Sequence, residues 1–362
     1  MPATAPDTGN RVRNSSTILV LTAAILCSAS IAEAQPPDSL RARESEATKL
    51  DRGPLLLPNE AGGTEYWFVS TRSAAQHRLE KRGPLTVYRS SQGTLSAASL
   101  EELQSALTPG VPICIFVHGS FTGWNTQLRN APQSSQWIRD ACPGRPMHVI
   151  FFSWPSDGPY TQIFPVDLTV RAYRAEFNGF YLAQVVALCP QQSPVCLIGH
   201  SHGTRAVLAA GHLLGGGMVE GLVSPSASAS TQPVRAVLMA AAVDHTWLNP
   251  GSRYGCALHR IEVMSLRSSG DFPLQFYPLS APHSRPALAQ VGFTNADRRA
   301  MGPLGYRAVE LDVSELVGTS HAWRSYSGSP SIAAAVAPFA LFLDNCPTSG
   351  LRESSRLIHP ND

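Results

Sequence analysis

Residues 195–210 read VCLIGHSHGTRAVLAA: a short apolar run, then Gly-His-Ser-His-Gly, then a helix-forming segment. A Gly-x-Ser-x-Gly pattern between a strand and a helix is typical of a sharp turn that holds its serine in a strained backbone conformation. Gly199 and Gly203 carry no Cβ atom, so the strand and the helix can pass closely there. The pattern predicts that Ser201 Oγ is exposed at the carboxyl end of a central strand, beside the first amides of the next helix. The alternative is an ordinary turn with a surface serine.

The overall composition favours a folded globular domain. The chain has 362 residues, a formal net charge of +2, 43% apolar residues and only 15% charged residues. This balance supports a sizeable core and argues against disorder and against a surface that binds nucleic acid. It leaves apolar substrates open.

The first 34 residues have the composition of a secretory signal peptide. Arg11 and Arg13 precede an apolar run over residues 17–26, and residues 32–34 read AEA, a small-residue cleavage pattern. The run is shorter than the ~20 residues that a bilayer-spanning helix needs, so cleavage after Ala34 is favoured over an uncleaved anchor. We therefore expect a periplasmic or secreted protein with no stable transmembrane segment after cleavage.

The rest of the chain divides into three parts. Residues 35–63 are polar, contain proline and lack periodicity, which predicts a flexible leader. Residues 64–345 form the main domain, and residues 346–362 form a C-terminal tail. Within the main domain, residues 215–233 are rich in Gly, Ser, Pro and Ala and predict a flexible surface loop.

Six cysteines remain after signal cleavage, an even number that favours disulfides in an exported chain. Cys189 and Cys196 bracket a short helix-to-strand loop and are a plausible local pair, and Cys256 with Cys346 is a weaker hypothesis. Cys114 lies inside a predicted strand, so a buried free thiol is the alternative there. No Cys/His group has the spacing of a structural zinc site, and we predict no metal.

The main domain alternates strand-like and helix-like segments. Apolar runs at 112–117, 147–153, 195–198, 234–242 and 260–266 suit the strands of a parallel sheet that is covered on both faces. Apolar residues recur at helical spacing in the segments between them. The sequence therefore predicts the α/β class, as a single domain with a mostly parallel central sheet flanked by helices.

A serine nucleophile needs a base and an acid that orients the base. His321 is the only histidine between the last predicted strand and the final helix, and it is our candidate base. Asp271 follows the strand at 260–266 through a short loop and is the favoured acid. Asp244, which follows the preceding strand, is the alternative.

An oxyanion hole needs two amide donors near the serine. The backbone N–H of His202 follows the nucleophile and is the expected first donor. The second should come from the turn after strand 112–117, where Gly119 permits close approach and the amide of Ser120 or Phe121 would donate.

These segments resemble the α/β hydrolases of the bacterial esterase/lipase superfamily. The resemblance rests on FVHG at 116–119, FSWPS at 152–156 and the turn at 199–203, and it spans residues 65–343. It implies the α/β-hydrolase fold, with the acid at Asp271 in a Ser-x-x-Asp turn and the base, His321, close to an aromatic residue. Most members have methionine after the nucleophile, where this chain has His202.

Together these features predict an exported serine hydrolase that cleaves carboxylic esters through an acyl-enzyme, without a cofactor. The expected substrate is a small-molecule or lipid-like ester. Three aromatic residues are candidates for binding it, with core packing as the alternative for each: Trp124, Trp154 and Trp323. A peptidase or amidase on the same fold and a non-catalytic, hydrolase-like binding protein remain as alternative functions. The sequence leaves the oligomeric state open.

Overall fold

The structure, a computed structural model, describes residues 65–73, 85–224, 230–277 and 284–343, together with the backbone of Leu55–Leu56. The predicted signal peptide, its cleavage site, most of the leader and the tail lie outside these ranges. None of the helices within them combines the length and apolarity that a bilayer span requires.

A ten-stranded sheet forms the centre of the molecule, in the spatial order β1-β4-β3-β2-β6-β5-β7-β10-β11-β12. The seven strands from β2 to β12 along this order are parallel, and β1, β4 and β3 extend the sheet in antiparallel fashion. The predicted α/β class with a mostly parallel sheet is confirmed. The strands are β1 Leu55–Leu56, β2 Tyr66–Ser70, β3 Thr86–Ser91, β4 Thr94–Ala98, β5 Ile113–Val117, β6 His148–Ser153, β7 Val195–His200, β8 Met218–Val219, β9 Leu222–Val223, β10 Val234–Met239, β11 Ile261–Arg267 and β12 Ala308–Asp312.

Helices cover both faces of the sheet, which explains why β5 and β7 are apolar at almost every position. One core cluster contains α3 and α4, and the other contains α2 and α10. Two short 3₁₀ segments at Ala257–His259 and Gly302–Arg307 precede β11 and β12. The helices are α1 Leu100–Ala106, α2 Trp124–Asp140, α3 Phe164–Leu188, α4 Gly203–Leu214, α5 Phe272–Gln275, α6 Leu288–Val291, α7 Asn295–Met301, α8 Ser314–Val317, α9 Trp323–Ser327 and α10 Pro330–Ala340.

Part of the predicted loop at 215–233 is ordered as the hairpin of β8 and β9. The two turn residues, Glu220 and Gly221, have φ angles of 50° and 77°, which is the geometry that joins two antiparallel strands tightly. Apolar residues on either side of this turn pair across it, and the Gly/Ser-rich composition of the longer stretch concealed them. Residues 225–229 lie outside the described ranges.

The predicted disulfide between Cys189 and Cys196 is wrong. Cys189 packs in the core cluster on the α3 and α4 face, whereas Cys196 packs in the cluster on the opposite face of the sheet, so both are free thiols. Burial raises the pKa of Cys189 to about 12. Cys114 is likewise a buried thiol inside β5, which was the alternative expectation. Cys346, the other half of the weaker pair, lies outside the described residues.

Parallel register brings the carboxyl ends of four neighbouring strands to one edge of the sheet. Val117 of β5 pairs with Gly199 of β7, and Met239 of β10 pairs with His200 of β7 and with Leu266 of β11. The loops that leave these strands therefore meet above the sheet. The candidate site is built from them.

Candidate active site

Ser201 occupies the turn between β7 and α4, with a φ of 51° that non-glycine residues rarely adopt. Its amide donates to the carbonyl of Met239 at 2.9 Å, which ties the turn to the neighbouring strand β10. A Cβ atom at Gly203 would overlap the carbonyl oxygens of Val117 and His118. The glycine is therefore required, because the start of α4 lies directly against the loop that leaves β5.

A continuous chain of hydrogen bonds joins three residues from three loops. His321 Nε2 accepts the hydroxyl hydrogen of Ser201 at 2.8 Å, and His321 Nδ1 donates to Asp271 Oδ2 at 2.8 Å and to Oδ1 at 3.1 Å. Asp271 is fully buried, and its Oδ1 also accepts the amide of Leu274 at 3.2 Å. The carboxylate is thus held in place by the start of α5 and sets the tautomer of the imidazole.

The alternative acid, Asp244, lies in a separate cluster. Its Oδ1 accepts the hydroxyl hydrogen of Tyr277 at 2.8 Å, and its Oδ2 accepts the amide of Arg285 at 3.1 Å. Tyr277 in turn accepts from Arg205 Nη2 at 3.0 Å. Of the two aspartates that the sequence left open, Asp271 is the one that contacts His321.

His200 anchors the loop that carries His321. Its Nε2–H donates to the carbonyl of His321 at 2.8 Å, and its ring packs edge-on against Trp323. Burial lowers the pKa of His200 to about 3, so the ring stays neutral and keeps donating. The bond to His321 spans 121 residues, and no local pattern indicates it.

Two amides, those of Ser120 and Phe121, are the predicted candidates for the second donor of the oxyanion hole, and their hydrogen bonds distinguish them. The amide of Phe121 donates to the carbonyl of Ser156 at 2.9 Å, so the predicted role for Phe121 is corrected. The amides of Ser120 and His202 have no acceptor among the described residues. Gly119 brings this loop so close that a Cβ atom there would lie 2.9 Å from Ser201 Cβ. Ser120 and His202 are therefore the two available donors.

The imidazole of His202, where methionine is the usual residue in the resembling group, makes a contact of its own. His202 Nδ1 shares a hydrogen bond of 2.7 Å with Ser120 Oγ, across 82 residues of sequence. Burial, reinforced by the nearby Arg205, lowers the pKa of His202 well below its usual value, so its ring is neutral. The bond fixes the loop after β5 relative to the serine turn.

Two of the three predicted aromatic contacts are wrong. Trp154 is fully buried, donates from Nε1 to the carbonyl of His118 at 2.8 Å and stacks on the His118 ring. Trp124 packs in the core against Phe68 and Tyr88. Both indoles stabilise the loop after β5 or the core beneath it, and neither lines the cavity. Trp323 does line it, with Nε1 bonded to Ser134 Oγ at 2.9 Å.

A cavity of about 1310 Å³ opens at Ser201 and His321. Apolar side chains line much of it, including Phe121, Phe164 and Leu168, and the Asp244–Tyr277–Arg205 cluster lies in the same cavity. The volume exceeds the range of ~300–1,000 Å³ typical of small-molecule pockets. The site therefore combines a serine hydroxyl that is hydrogen-bonded to a histidine with a large, partly apolar space.

Comparison with known proteins gives one match. A sequence model of the alpha/beta hydrolase family matches residues 114–354, more than half of the chain and a range that includes Ser201, Asp271 and His321. Neither the search of curated proteins nor the search of solved structures found a match.

Proposed function

The chain belongs to the alpha/beta hydrolase family, and from that premise we propose that it is an exported serine hydrolase that cleaves carboxylic esters through an acyl-enzyme. One observation carries the proposal. The hydrogen-bond chain from Asp271 through His321 reaches Ser201 Oγ with distances of 2.8 Å at both links. This is the contact pattern that a serine nucleophile, its base and an orienting acid require.

In the first half of the proposed reaction, Ser201 Oγ attacks the ester carbonyl carbon while His321 Nε2 takes the hydroxyl proton. Asp271 stabilises the imidazolium that forms, because it accepts the Nδ1 hydrogen throughout. The carbonyl oxygen becomes an oxyanion and receives hydrogen bonds from the amides of Ser120 and His202. The C–O bond to the alcohol then breaks, the alcohol takes the proton from Nε2, and the acyl group remains on Ser201.

In the second half, water takes the place of the serine hydroxyl. His321 Nε2 removes a proton from the water as its oxygen attacks the acyl carbon, and the same two amides hold the second oxyanion. The bond to Ser201 Oγ breaks, Nε2 returns the proton to the serine, and a carboxylic acid leaves. The cycle restores the starting enzyme and consumes one water for each ester.

A panel of p-nitrophenyl esters of graded acyl length tests the proposal. The full chain and the Ser201→Ala variant are purified and compared by kcat/KM, with circular dichroism to show that both fold. We expect the substitution to lower kcat/KM by about four orders of magnitude or more. The preferred acyl length then reports how the cavity of about 1310 Å³ is filled.

A fluorophosphonate probe tests the nucleophile independently of substrate choice. We expect mass spectrometry to find the adduct on the peptide that contains Ser201, and the Ser201→Ala protein to stay unlabelled. Labelling without ester turnover would direct the search to amides and peptides. Folded protein that neither turns over esters nor reacts with the probe would refute the serine mechanism.

The proposal of export rests on the sequence of residues 1–34 alone, since they lie outside the described ranges. Expression of the full chain in a Gram-negative host, followed by fractionation and intact-mass measurement, tests it. We expect mature protein that begins at Gln35 in the periplasm or the medium. A full-length chain in the cytoplasmic fraction is the contrary result.

A further inference from the structure

Arg205 lies on the first turn of α4, four residues after Ser201, and lines the same cavity. The residue is 8% exposed, so most of its side chain is removed from bulk water. Its position on the helix that begins at the serine turn fixes it relative to the nucleophile. Because Arg205 lines the same cavity as Ser201, its charge bears on which substrates fit there.

The guanidinium of Arg205 makes two hydrogen bonds, and both acceptors are uncharged. Nε donates to the carbonyl of Ala242 at 3.0 Å, and Nη2 donates to the Tyr277 hydroxyl at 3.0 Å. Nη1 has no acceptor among the described residues and is not sealed away from the cavity. No carboxylate of the described chain lies within ion-pair distance of Arg205.

Two other arginines at the cavity or its walls, Arg171 and Arg253, do have carboxylate partners. Arg171 is more deeply buried than Arg205 and pairs with Asp167, with Nε 2.5 Å from Oδ2. Arg253 makes two bonds to Glu176, at 2.7 Å and 2.6 Å. A buried cation is costly unless an anion or several hydrogen bonds compensate it. Arg205 is instead a buried cation that stacks on the Trp247 ring, 4.7 Å from its centroid, and whose free donor faces the substrate space.

The surrounding charges leave this cation available to a ligand. Asp244 is separated from Arg205 by the Tyr277 hydroxyl and has both oxygens occupied. Among the described residues, four arginines and two carboxylates line the cavity, and one arginine and one carboxylate are paired with each other. Arg129 and Arg324 are exposed and their charges are screened by solvent, so Arg205 is the buried arginine of the described cavity lining that has no carboxylate partner.

We propose that Arg205 binds a carboxylate of the substrate, with Tyr277 holding the guanidinium in place, so that the preferred substrate is an ester that also carries a free carboxylate. The assignment rests on the proposed ester hydrolysis at Ser201. It narrows the substrate class from apolar esters to half-esters of dicarboxylic acids or esters of carboxylated alcohols. The apolar wall formed by Phe121, Phe164 and Leu168 then contacts the carbon chain between the two ends.

Paired substrates of equal length test this proposal. The first arm compares mono-p-nitrophenyl esters of glutaric, adipic and suberic acids with the same esters in which the free carboxylate is methylated. The second arm places the carboxylate on the alcohol side, as 4-carboxyphenyl butyrate against its methyl ester. We expect one arm to show a kcat/KM ratio of charged to neutral ester of about 10–100, in line with hydrogen bonds to charged groups.

Variants of Arg205 test whether its positive charge causes the preference for the charged ester. We expect Arg205→Met to bring the ratio to about one or below, and Arg205→Lys to keep part of it, because lysine retains the charge but not the planar donors. Any general loss of fold lowers both rates together and leaves the ratio unaffected. Arg324→Met is the matched control, since Arg324 is exposed at the cavity mouth and its charge is screened by solvent.

Binding to an inactive enzyme separates the two proposals. Monomethyl adipate and monomethyl suberate are titrated calorimetrically into the Ser201→Ala protein and the Ser201→Ala, Arg205→Met double variant. We expect binding of at least one half-ester that the second substitution weakens about 10–100-fold. A wild-type ratio near one in both arms, or a ratio that survives Arg205→Met, overturns the carboxylate site while ester hydrolysis stands. Loss of all turnover and of fluorophosphonate labelling instead points to failure of the serine mechanism.

Discussion

Two polar clusters in the cavity each consist of three hydrogen-bonded residues in a row, and they differ in the residue at the centre of the row. In one, Asp271 bonds to His321, which bonds to Ser201. In the other, Asp244 bonds to Tyr277, which bonds to Arg205. Each begins with a buried aspartate just after one of the neighbouring strands β11 and β10, and each ends on the turn or the first residues of α4.

The central residue, His321 in one cluster and Tyr277 in the other, decides whether the cluster can transfer a proton. An imidazole nitrogen can both accept and release a proton, so the first cluster can move a proton to and from Ser201. Burial raises the pKa of the Tyr277 phenol further above its usual value, so the second cluster holds its protons in place. We infer that neighbouring strands of one sheet support proton transfer at one end of the cavity and fixed polar recognition at the other.

Substitution of each aspartate by asparagine tests the two clusters separately. Asp271→Asn should lower kcat/KM for a neutral p-nitrophenyl ester by about 10⁴-fold, because an amide no longer stabilises the imidazolium or its tautomer. Asp244→Asn should cost less than about tenfold on the same ester, because an asparagine oxygen still accepts from Tyr277. Equal losses in the two variants would contradict the assignment of Asp271 as the acid.

A shift of the shared serine turn should disturb both clusters together. A Cβ atom at Gly203 would overlap the carbonyls of Val117 and His118, so Gly203→Ala should lower kcat/KM for charged and neutral esters alike by about 100-fold. Gly123→Ala is the matched control, because a Cβ atom there meets its nearest neighbour, Asp157, at 3.6 Å. Steady-state kinetics on the paired esters measures both effects, and an unaffected Gly203→Ala enzyme would argue against this turn as the nucleophile's support.

Removal of one hydroxyl should weaken the second cluster and spare the first. Tyr277→Phe leaves Arg205 Nη2 and Asp244 Oδ1 short of a partner, which should lower the free energy of unfolding by about 1–3 kcal/mol. The rate on a neutral ester should change less than about threefold. Urea denaturation measures the stability, with Tyr306→Phe as the control, since Tyr306 is 76% exposed. A loss of activity as large as that of Asp271→Asn would place Tyr277 in the chemistry.

The smallest expected effect concerns pH. We expect the ratio of kcat/KM for the charged ester to kcat/KM for the neutral ester to stay constant between pH 6 and 9. Four groups face the proposed carboxylate site or touch its members: Arg205, Tyr277, His202 and Asp244. The pKa of His202 is lowered well below its usual value and that of Tyr277 is raised, so neither changes charge in this window. A ratio that climbs as the pH falls from 7 to 6 would mean that His202 becomes a second cation.

The fold and the serine turn are predictable from sequence because their determinants are local. Apolar runs at 112–117 and 195–198 mark strands that are covered on both faces, and the confirmed α/β class follows from their alternation with helical spacing. Gly199 and Gly203 mark the turn because no other residue permits such close passage. The position of His321 in the last loop follows from chain order alone.

The pairing of side chains from different loops is not predictable in this way. Asp244 and Asp271 both follow adjacent strands, and only the course of the later loops brings Asp271 to His321 and Tyr277 to Asp244. Phe121 and Ser120 are neighbours in sequence, yet the carbonyl of Ser156 accepts a hydrogen bond from the amide of Phe121 and not from that of Ser120. These choices depend on contacts between residues that are tens of positions apart.

By itself, then, the sequence determined the sheet, the strained serine turn and the short list of partners for Ser201, since hydrophobic periodicity and glycine geometry act over a few residues. Tertiary structure alone decided which partners meet. It directed Trp154 into the core, held Cys189 and Cys196 on opposite faces of the sheet, and left Arg205 without a carboxylate. The physical reason is that side-chain contacts across a parallel sheet depend on strand order and loop path, and neither leaves a local trace in the residues concerned.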